Sequence, residues 1–401
     1  MSSAATKPLR VMIGVTGGAG HAFPAFALGR ALRSRGHEVL IESFERWRDV
    51  VEEMDIRFEA GPERVIFPGP AEPGETAPDF AEAVRRTVPL LRDFGPEVVI
   101  ADLFGIVPAI AAELDGVRQA TLIPHTWPEY GGGAPPWSWG FKPPRTPFGS
   151  LLWRTGRLFE AWPRHRGKLL LDRARVELGL PAQRRGGPTL SDELVMVATY
   201  PQLEYPRRRP ASVHVTGPML FELPHPEVEL PRGDAPLVLV AASIGQDLER
   251  ELLGSALEGL ADEPVRVLAT INQHGASWPG PVPDNARVVD WISYAQAMPQ
   301  AAAVITRGGH GTICRALSDG VPLLISPAGG DMAENATRVA WAGAGLMLPR
   351  RLLGPGPLRW SVRRLLADGR YAERAREIAA WGRRNPGPER AADLLERQLR
   401  G

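Results

Sequence analysis

The stretch LRVMIGVT at residues 9–16, followed by GGAGH at 17–21, decides the fold. A short apolar run, a glycine turn and then an apolar pattern through Phe26, Leu28 and Leu32 is the order expected of a buried strand, a turn and an amphipathic helix. A second apolar run, VLI at 39–41, follows after Gly36. This alternation predicts a parallel sheet that is covered by helices.

The same alternation recurs along the 401-residue chain. Further strands are predicted at 97–102 (EVVIAD), 121–124 (TLIP), 237–240 (LVLV), 265–269 (VRVLA), 303–306 (AVIT) and 323–326 (LLIS). Between the two groups, residues 200–236 are rich in proline and irregular, which is typical of a domain boundary. We therefore predict an α/β protein with two doubly wound parallel-sheet domains, 1–216 and 217–380, and a final helical segment, 381–401.

Composition excludes several function classes. Lys and Arg number 47 against 46 Asp and Glu, a net charge of +1 that gives no global field for nucleic acid or anionic lipid. The single cysteine, Cys314, cannot form an intramolecular disulfide, which favours a reducing compartment. The N-terminal apolar run is short and is interrupted by glycines, unlike a signal peptide or a membrane span. We predict a cytoplasmic, enzyme-sized protein.

The densest chemical motif lies in the second half of the chain. There TRGGHGT at 306–312 leads from a predicted strand through a glycine turn into a helix, and GDMAEN follows at 330–335. A helix that starts in this way directs free backbone N–H groups and its positive end outward. The motif therefore fits a diphosphate group, with His310 and Thr312 as further donors.

The order and spacing of these residues resemble the nucleotide-sugar box of the GT-B glycosyltransferases of family 1, of the actinobacterial natural-product type. The resemblance implies two Rossmann-like domains that face a central cleft, an acceptor-binding domain first and a donor-binding domain second. It also implies that the last helix crosses back to the first domain. The donor residues that it implies are Ser243, Trp291, Arg307, Gly308, Gly309, His310, Gly311, Thr312, Asp331, Met332 and Asn335.

By this resemblance Trp291 stacks on the base, Ser243 and residues 308–312 hold the diphosphate, and Asp331 binds sugar hydroxyls. Three residues depart from the family pattern. Arg307 replaces the usual histidine, Met332 replaces a glutamine that would bind a sugar hydroxyl, and Arg315 replaces a glutamate on the ribose. These departures favour a dTDP-deoxysugar over UDP-glucose as donor.

His21 is the candidate general base. It follows the first glycine turn, and Asp102 ends another predicted strand of the same sheet. A carboxylate can fix the tautomer of an imidazole and stabilise its protonated form. The pair resembles the His-Asp dyad of inverting family 1 enzymes, in which the base takes the proton of the acceptor hydroxyl and the anomeric configuration inverts.

The acceptor is expected to be a hydrophobic natural product. Loops rich in proline and glycine span 60–80 and 125–150, and five tryptophans fall between 127 and 162. Aromatic side chains suit a flat or hydrophobic ligand, although ordinary packing is the alternative for each of them. The candidate acceptor residues are Phe67, His125, Trp127, Trp137, Trp139 and Trp153.

Other functions stay open at this point. The pattern Gly18-Ala19-Gly20 with Glu42 at the end of the next strand suggests a nicotinamide- or flavin-dependent oxidoreductase, but Phe23 stands where the third glycine is needed. A sugar-nucleotide epimerase and a non-catalytic partner protein of the same fold are the further alternatives. Neither an Asp-x-Asp pattern nor a zinc-type Cys/His cluster occurs, so we predict no metal and no cofactor, the nucleotide-sugar being a co-substrate.

Overall fold

The computed structural model describes residues 7–61, 79–128, 135–149, 151, 153, 169, 171–182, 190–225, 227–241, 250–273 and 275–400. Two predicted site residues, Phe67 and Ser243, lie outside these ranges. None of the helices in the described ranges is both long enough and apolar enough to cross a membrane.

The first half of the chain forms a seven-stranded parallel sheet with the order β3-β2-β1-β4-β5-β6-β7. Its strands are β1 (Arg10–Gly14), β2 (Glu38–Ser43), β3 (Arg57–Ala60), β4 (Val98–Asp102), β5 (Arg118–Ile123), β6 (Val195–Val197) and β7 (Val213–Val215). Its helices are α1 (Ala19–Ser34), α2 (Arg48–Glu52), α3 (Phe80–Phe94) and α4 (Ile106–Leu114), and residues 171–177 are also helical.

The second half forms a six-stranded parallel sheet with the order β10-β9-β8-β11-β12-β13. Its strands are β8 (Leu237–Ala241), β9 (Arg266–Thr270), β10 (Ala286–Val289), β11 (Ala301–Thr306), β12 (Leu323–Ile325) and β13 (Gly345–Met347). The helices of this half are α5 (Glu251–Leu260), α6 (Tyr294–Ala297), α7 (His310–Ser318), α8 (Met332–Ala342), α9 (Pro355–Ala367), α10 (Gly369–Arg384) and α11 (Gly387–Arg400).

Both sheets reverse their strand order at one point, and these points locate the site. In the first sheet the reversal lies between β1 and β4, and in the second between β8 and β11. Parallel sheets of this kind bind ligands beyond the carboxyl ends of the strands at the reversal. The turn that carries His21 follows β1, Asp102 ends β4, and the 307–312 turn follows β11.

The central strands are apolar because helices cover both of their faces. Every residue of β4 and of β8 is buried, and alternate residues of β1 enter two different hydrophobic clusters, Val11 on one face and Met12 on the other. Strands that are buried on both faces have continuous apolar sequences. This is why the strands in both halves of the chain could be predicted from runs of valine, isoleucine and leucine.

Two regions differ in detail from the sequence prediction. The stretch 200–236 is largely irregular, but it contains β7, which adds the edge strand of the first sheet. The C-terminal stretch is two helices, α10 and α11, rather than one. Helix α11 lies against α1, where Arg35 pairs with Asp393 and His37 shares a hydrogen bond with Glu396. The domain limits at 216/217 and 380/381 remain predictions.

Candidate active site

His21 and Asp102 meet at the carboxyl edge of the first sheet. Nδ1 of His21 lies 2.9 Å from Oδ1 and 3.0 Å from Oδ2 of Asp102. Asp102 also accepts the backbone N–H of Phe104 at 3.1 Å, so its carboxylate is held in place. The His21 side chain is 21% exposed and that of Asp102 is fully buried. The dyad therefore presents the other edge of the imidazole to the cleft.

The carboxylates around His21 set its proton affinity. Burial by itself lowers the pKa of His21, but the charge and hydrogen bond of Asp102 outweigh this effect, and Asp331 adds to it. The pKa of His21 is therefore raised above 6.5. A raised pKa makes the imidazole a stronger base once it is neutral.

An aromatic wall borders the base. The Phe104 ring lies 4.8 Å from the His21 ring between centroids, and the His125 ring lies 6.4 Å away. The Trp137 ring is 4.8 Å from that of His125. Nδ1 of His125 lies 2.7 Å from the Thr126 carbonyl oxygen, and burial lowers the pKa of His125. Of the predicted acceptor residues, His125 thus lies near His21, and Trp137 lies against His125.

The first turn of α7 has open space beside its backbone. Gly308 has a φ of 101°, and a Cβ there would lie 2.9 Å from Ile325 Cγ2, so packing and backbone both require glycine. A Cβ at Gly311 would meet no described atom within 4 Å, and one at Gly309 would meet only Thr312, at 3.9 Å. No side chain of the described residues caps this helix. Its first N–H groups are suited to an anion.

Asn335 joins the two predicted donor segments. Its Nδ2 donates to the carbonyl oxygen of Gly308 at 3.0 Å and to Oδ2 of Asp331 at 2.9 Å. The side chain thereby fixes the glycine turn after β11 against the start of α8. Asp331 is held at that junction, close enough to His21 to influence its pKa. Asp331 of the second domain and His21 of the first domain therefore lie near one another.

Trp291 lies in the loop after β10, partly exposed. Its ring is 5.1 Å from that of His225, and its backbone N–H donates to Asp290 Oδ1 at 2.9 Å. The same carboxyl group accepts the N–H of Gly275 through Oδ2, also at 2.9 Å. These hydrogen bonds fix the backbone at the tryptophan, whose side chain is partly buried.

Several predicted site residues point elsewhere. Trp127 is 3% exposed and packs in a core cluster with Leu103, Ile123 and Val197, the ordinary packing alternative, so the structure does not place it at the acceptor. Trp139 and Trp153 both contact Phe141, with ring distances of 6.3 and 5.0 Å, and form a second aromatic group in the 135–153 region.

Three side chains of the predicted donor site are buried. Arg307 was expected to face the diphosphate, but its side chain is 1% exposed, with Nη2 3.6 Å from Glu251 and Nη1 3.5 Å from the Ser326 carbonyl oxygen. His310 is buried, its Nε2 lies 3.3 Å from Cys314 Sγ, and burial lowers its pKa to about 4. Met332 is also buried, below the Gly308 turn. At α7, backbone groups rather than these side chains face outward.

Some residues near the site were not predicted from the sequence. Phe104 stands two residues after Asp102, and a position just beyond a strand that ends in a candidate catalytic carboxylate is a signal for it. Glu42 was noticed only as a ribose ligand of the oxidoreductase alternative, yet it lines a cavity beside Phe104. Among the residues that the structure describes, no group of three or more His, Cys, Asp or Glu could hold a metal ion.

Comparison with known proteins identifies the class. The chain is 28% identical over 424 residues to 4'-demethylrebeccamycin synthase of Lentzea aerocolonigenes, covering 96% of this chain and 99% of the relative. It is 28% identical over 427 residues to O-mycaminosyltylonolide 6-deoxyallosyltransferase of Streptomyces fradiae, covering 97% of each.

Solved structures agree in fold. The glycosyltransferase of kitacinnamycin superposes with a TM-score of 0.76 at 23% identity, covering 98% of this chain and 99% of that one. The glycosyltransferase VinC in complex with dTDP superposes with a TM-score of 0.72 at 23% identity, covering 98% and 100%. The two facing parallel-sheet domains are those of a GT-B glycosyltransferase, as predicted.

The chain is thus a glycosyltransferase of the natural-product, antibiotic-biosynthesis type, and the predicted enzyme class is confirmed. Residues 255–397 match the family model described as erythromycin biosynthesis protein CIII-like, C-terminal domain.

Proposed function

We propose that this enzyme transfers a sugar, with inversion, from a dTDP- or UDP-sugar to a hydroxyl group of a hydrophobic natural product. The observation that carries the proposal is the His21–Asp102 dyad, with Nδ1 of the imidazole 2.9 Å from the carboxylate. This dyad lies at the carboxyl edge of the first sheet, and the charge of Asp331 in the second domain contributes to the raised pKa of His21. A base and an anion-binding helix start on opposite sides of a cleft suit a direct displacement.

In the proposed step, Nε2 of His21 takes the proton of the acceptor hydroxyl as its oxygen attacks the anomeric carbon. The bond from that carbon to the diphosphate oxygen breaks on the opposite face, which inverts the configuration. Asp102 keeps the imidazole in the tautomer with Nδ1–H and stabilises the imidazolium that forms. A general base of this kind contributes about 10² to 10⁴ in rate.

The leaving diphosphate is proposed to bind at the start of α7. The open space at Gly309 and Gly311 lets an anion reach the backbone N–H groups, and the helix dipole favours negative charge there. The pyrimidine base of the nucleotide is proposed to stack on the Trp291 ring. Asp331 is proposed to accept hydrogen bonds from sugar hydroxyls. The glycine turn and Asp331 are held in register by Asn335.

A deoxysugar donor is proposed because Met332 offers no hydrogen bond to a sugar hydroxyl. The deoxyallosyl transferase relative and the dTDP complex of a protein of the same fold support this choice. The nucleotide-sugar is a co-substrate, and the proposed mechanism uses no metal or other cofactor.

Two measurements test the proposal. Thermal unfolding is followed with dTDP, UDP, GDP, ADP, NAD and FAD, each at about 100 times its dissociation constant where one is measurable, which stabilises a binding protein by about 2.7 kcal/mol. Stabilisation by dTDP or UDP is expected, and a response to NAD or FAD alone would contradict the proposal. Transfer from dTDP-α-glucose or UDP-α-glucose to 1-naphthol is then expected to give the β-glucoside by NMR, whereas an α-glucoside would refute inversion.

A further inference from the structure

A small cavity in the first domain lies directly behind the aromatic wall of the proposed base. It measures about 40 Å³ and is bordered by the carboxyl ends of β1 and β2 and by the start of α4. Its walls are mostly apolar, and they include Val15, Phe44, Phe104 and Pro108. Because the Phe104 ring also contacts the His21 ring at 4.8 Å, the cavity adjoins the place where the acceptor hydroxyl is expected.

One acidic residue, Glu42, is among those that line this apolar cavity. Glu42 stands next to the end of β2 and is 5% exposed. Its Oε1 accepts a hydrogen bond from Thr87 Oγ1 at 3.0 Å. Its Oε2 is buried and has no hydrogen-bond partner in the part of the chain that the structure describes. A buried polar atom without a partner is costly, so its retention calls for an explanation.

A structural role does not supply that explanation. Among the ion pairs of the described residues, none includes Glu42, and the charged neighbour that acts on it is another carboxylate, Glu59. Burial and this like charge raise the pKa of Glu42 to about 7. A leucine or glutamine at this position would serve the packing of β2 at a lower cost. The side chain is also confined, because a Cβ at Gly61 would lie 2.9 Å from Glu42 Cγ.

We propose that Glu42 determines acceptor specificity, with its carboxyl group forming a hydrogen bond to a hydroxyl substituent of the acceptor that enters this cavity. The inference rests on the proposed function, because it places the acceptor beside His21. A cavity of about 40 Å³ has room for a few water-sized groups, since one water molecule needs about 10 to 15 Å³ by the same measure, and therefore takes a substituent rather than a ring system. The ring that carries the substituent would lie against Phe104, in the cleft.

A hydroxyl group is the substituent that fits a carboxyl group in this environment. An ionised Glu42 accepts the hydrogen bond of the hydroxyl, and a protonated Glu42 donates one to its oxygen. Both forms are present near neutral pH because the pKa of Glu42 is about 7. An aromatic amino group is a poorer partner, because its lone pair is delocalised into the ring and accepts the proton of a neutral Glu42 only weakly.

The test uses binding of simple probes, so that it does not depend on transfer. The affinities of 1-naphthol, 2-naphthol and a set of naphthalenediols and aminonaphthols are measured by calorimetry, with dTDP present. For the wild-type protein we expect at least one diol to bind about tenfold more tightly than its parent naphthol, the usual effect of one hydrogen bond to a buried charged or polar group. The corresponding aminonaphthol is expected to bind less tightly than the diol.

Three variants test whether Glu42 causes the preference for a diol over its parent naphthol. Glu42→Leu is expected to abolish the diol preference and to leave the naphthol affinities within about twofold, whereas Glu42→Gln, whose amide still offers an oxygen, keeps part of the preference. The matched control is Glu38→Gln, at the exposed start of the same strand, which should change neither affinity. Folding of each variant is followed by thermal unfolding, and removal of the buried carboxyl should not lower the midpoint.

The proposal is overturned if wild-type protein prefers no diol, if it prefers aminonaphthols, or if Glu42→Leu keeps the diol preference. An equal loss of naphthol and diol binding in a folded Glu42→Leu protein would also overturn it, because that result indicates a purely structural role. Failure of the proposed function would appear differently, as an absence of transfer from dTDP- or UDP-glucose to any of the probes.

Discussion

Nη1 of Arg338 lies 3.4 Å from Oε2 of Glu204, and this contact joins α8 of the second domain to the segment after β6. Arg338 also donates to the Leu203 carbonyl at 2.9 Å and to Glu334 at 2.7 Å, and both side chains of the Glu204–Arg338 pair are 2% exposed. The same Glu204 accepts the backbone N–H of Trp127 at 2.6 Å. A buried ionic network therefore ties the candidate donor helix to the chain that leads into the acceptor loop.

Replacing Arg338 with methionine should destabilise the protein strongly. Methionine fills part of the space but leaves the buried Glu334 without its cation, whereas Glu204 keeps Arg207. Breaking a buried pair costs about 3 to 5 kcal/mol. Urea titration should show this loss in the free energy of unfolding. The control is Arg370→Met, which removes an exposed pair with Asp368 and should leave the urea midpoint unchanged. Equal midpoints for both variants would contradict a structural role of the network.

Gly140→Ala should weaken acceptor binding. Gly140 has a φ of 69°, a Cβ there would lie 2.9 Å from Ala333, and its carbonyl oxygen accepts the hydroxyl of Thr337 at 2.8 Å. The strain is about 1 to 2 kcal/mol before the steric contact, so the loop with Trp137 and Phe141 should shift away from α8. We expect the KM for 1-naphthol to rise about tenfold at an unchanged Kd for dTDP.

The matched control for this loop is Gly356→Ala. This glycine has negative φ within α9, and a Cβ there would meet no described atom within 4 Å. Its KM values should equal those of the wild-type protein. If Gly140→Ala alters the Kd for dTDP as much as the KM for 1-naphthol, the loop does not act on the acceptor alone.

Trp291→Ala should weaken dTDP binding by about 1 to 3 kcal/mol, because stacking of a base on an aromatic ring contributes that amount. Isothermal titration measures the change directly. Trp360→Ala is the control, since Trp360 is 61% exposed on α9, away from the cleft. If both variants bind dTDP as tightly as the wild-type protein does, Trp291 does not stack on the nucleotide base.

Folding stability should fall as pH rises through the range in which Glu42 titrates. The pKa of Glu42 is raised from 4.5 to about 7 by burial, so between these values the folded chain keeps a proton that the unfolded chain has lost. Ionisation then costs up to about 3 kcal/mol of stability, fully present above pH 7 and absent below pH 4.

Glu42→Gln should remove this pH dependence and raise the free energy of unfolding at pH 8 but not at pH 4. Urea titrations at both pH values measure it, with Glu38→Gln as the control. Equal differences between Glu42→Gln and wild-type protein at the two pH values would show that Glu42 titrates normally in the folded state.

The strands and the dyad could be predicted from sequence because their signals are local. Apolar runs between turns mark strands such as β4, and the carboxyl ends of parallel strands share one edge, which brought Asp102 and His21 together in the prediction. The glycine turn before α7 is equally local, since Gly308 needs a positive φ.

The rest depends on which segments meet in space. Nothing around Trp127 in the sequence shows that Leu103 and Val197 would enclose it, or that Glu204, 77 residues away, would hold its backbone. Arg307 follows a strand as an anion-binding residue would, but its long side chain turned toward Glu251. Likewise, an isolated Glu42 gives no sign in the sequence that one of its oxygens lacks a partner.

In the proposed mechanism His21 is the base and Asp102 is its positioning partner. The most direct test is the pH dependence of kcat/KM for transfer to 1-naphthol by the wild-type protein, Asp102→Asn and His21→Ala, with His214→Ala as a histidine control outside the cleft. We expect an acidic limb with an apparent pKa above 6.5 in the wild-type protein, because Asp102 raises the pKa of His21, and a limb at lower pH with a reduced rate in Asp102→Asn. His21→Ala should lose about 10² to 10⁴ in kcat/KM at an unchanged Kd for dTDP. Wild-type rates in His21→Ala, or an acidic limb that Asp102→Asn does not move, would contradict the account.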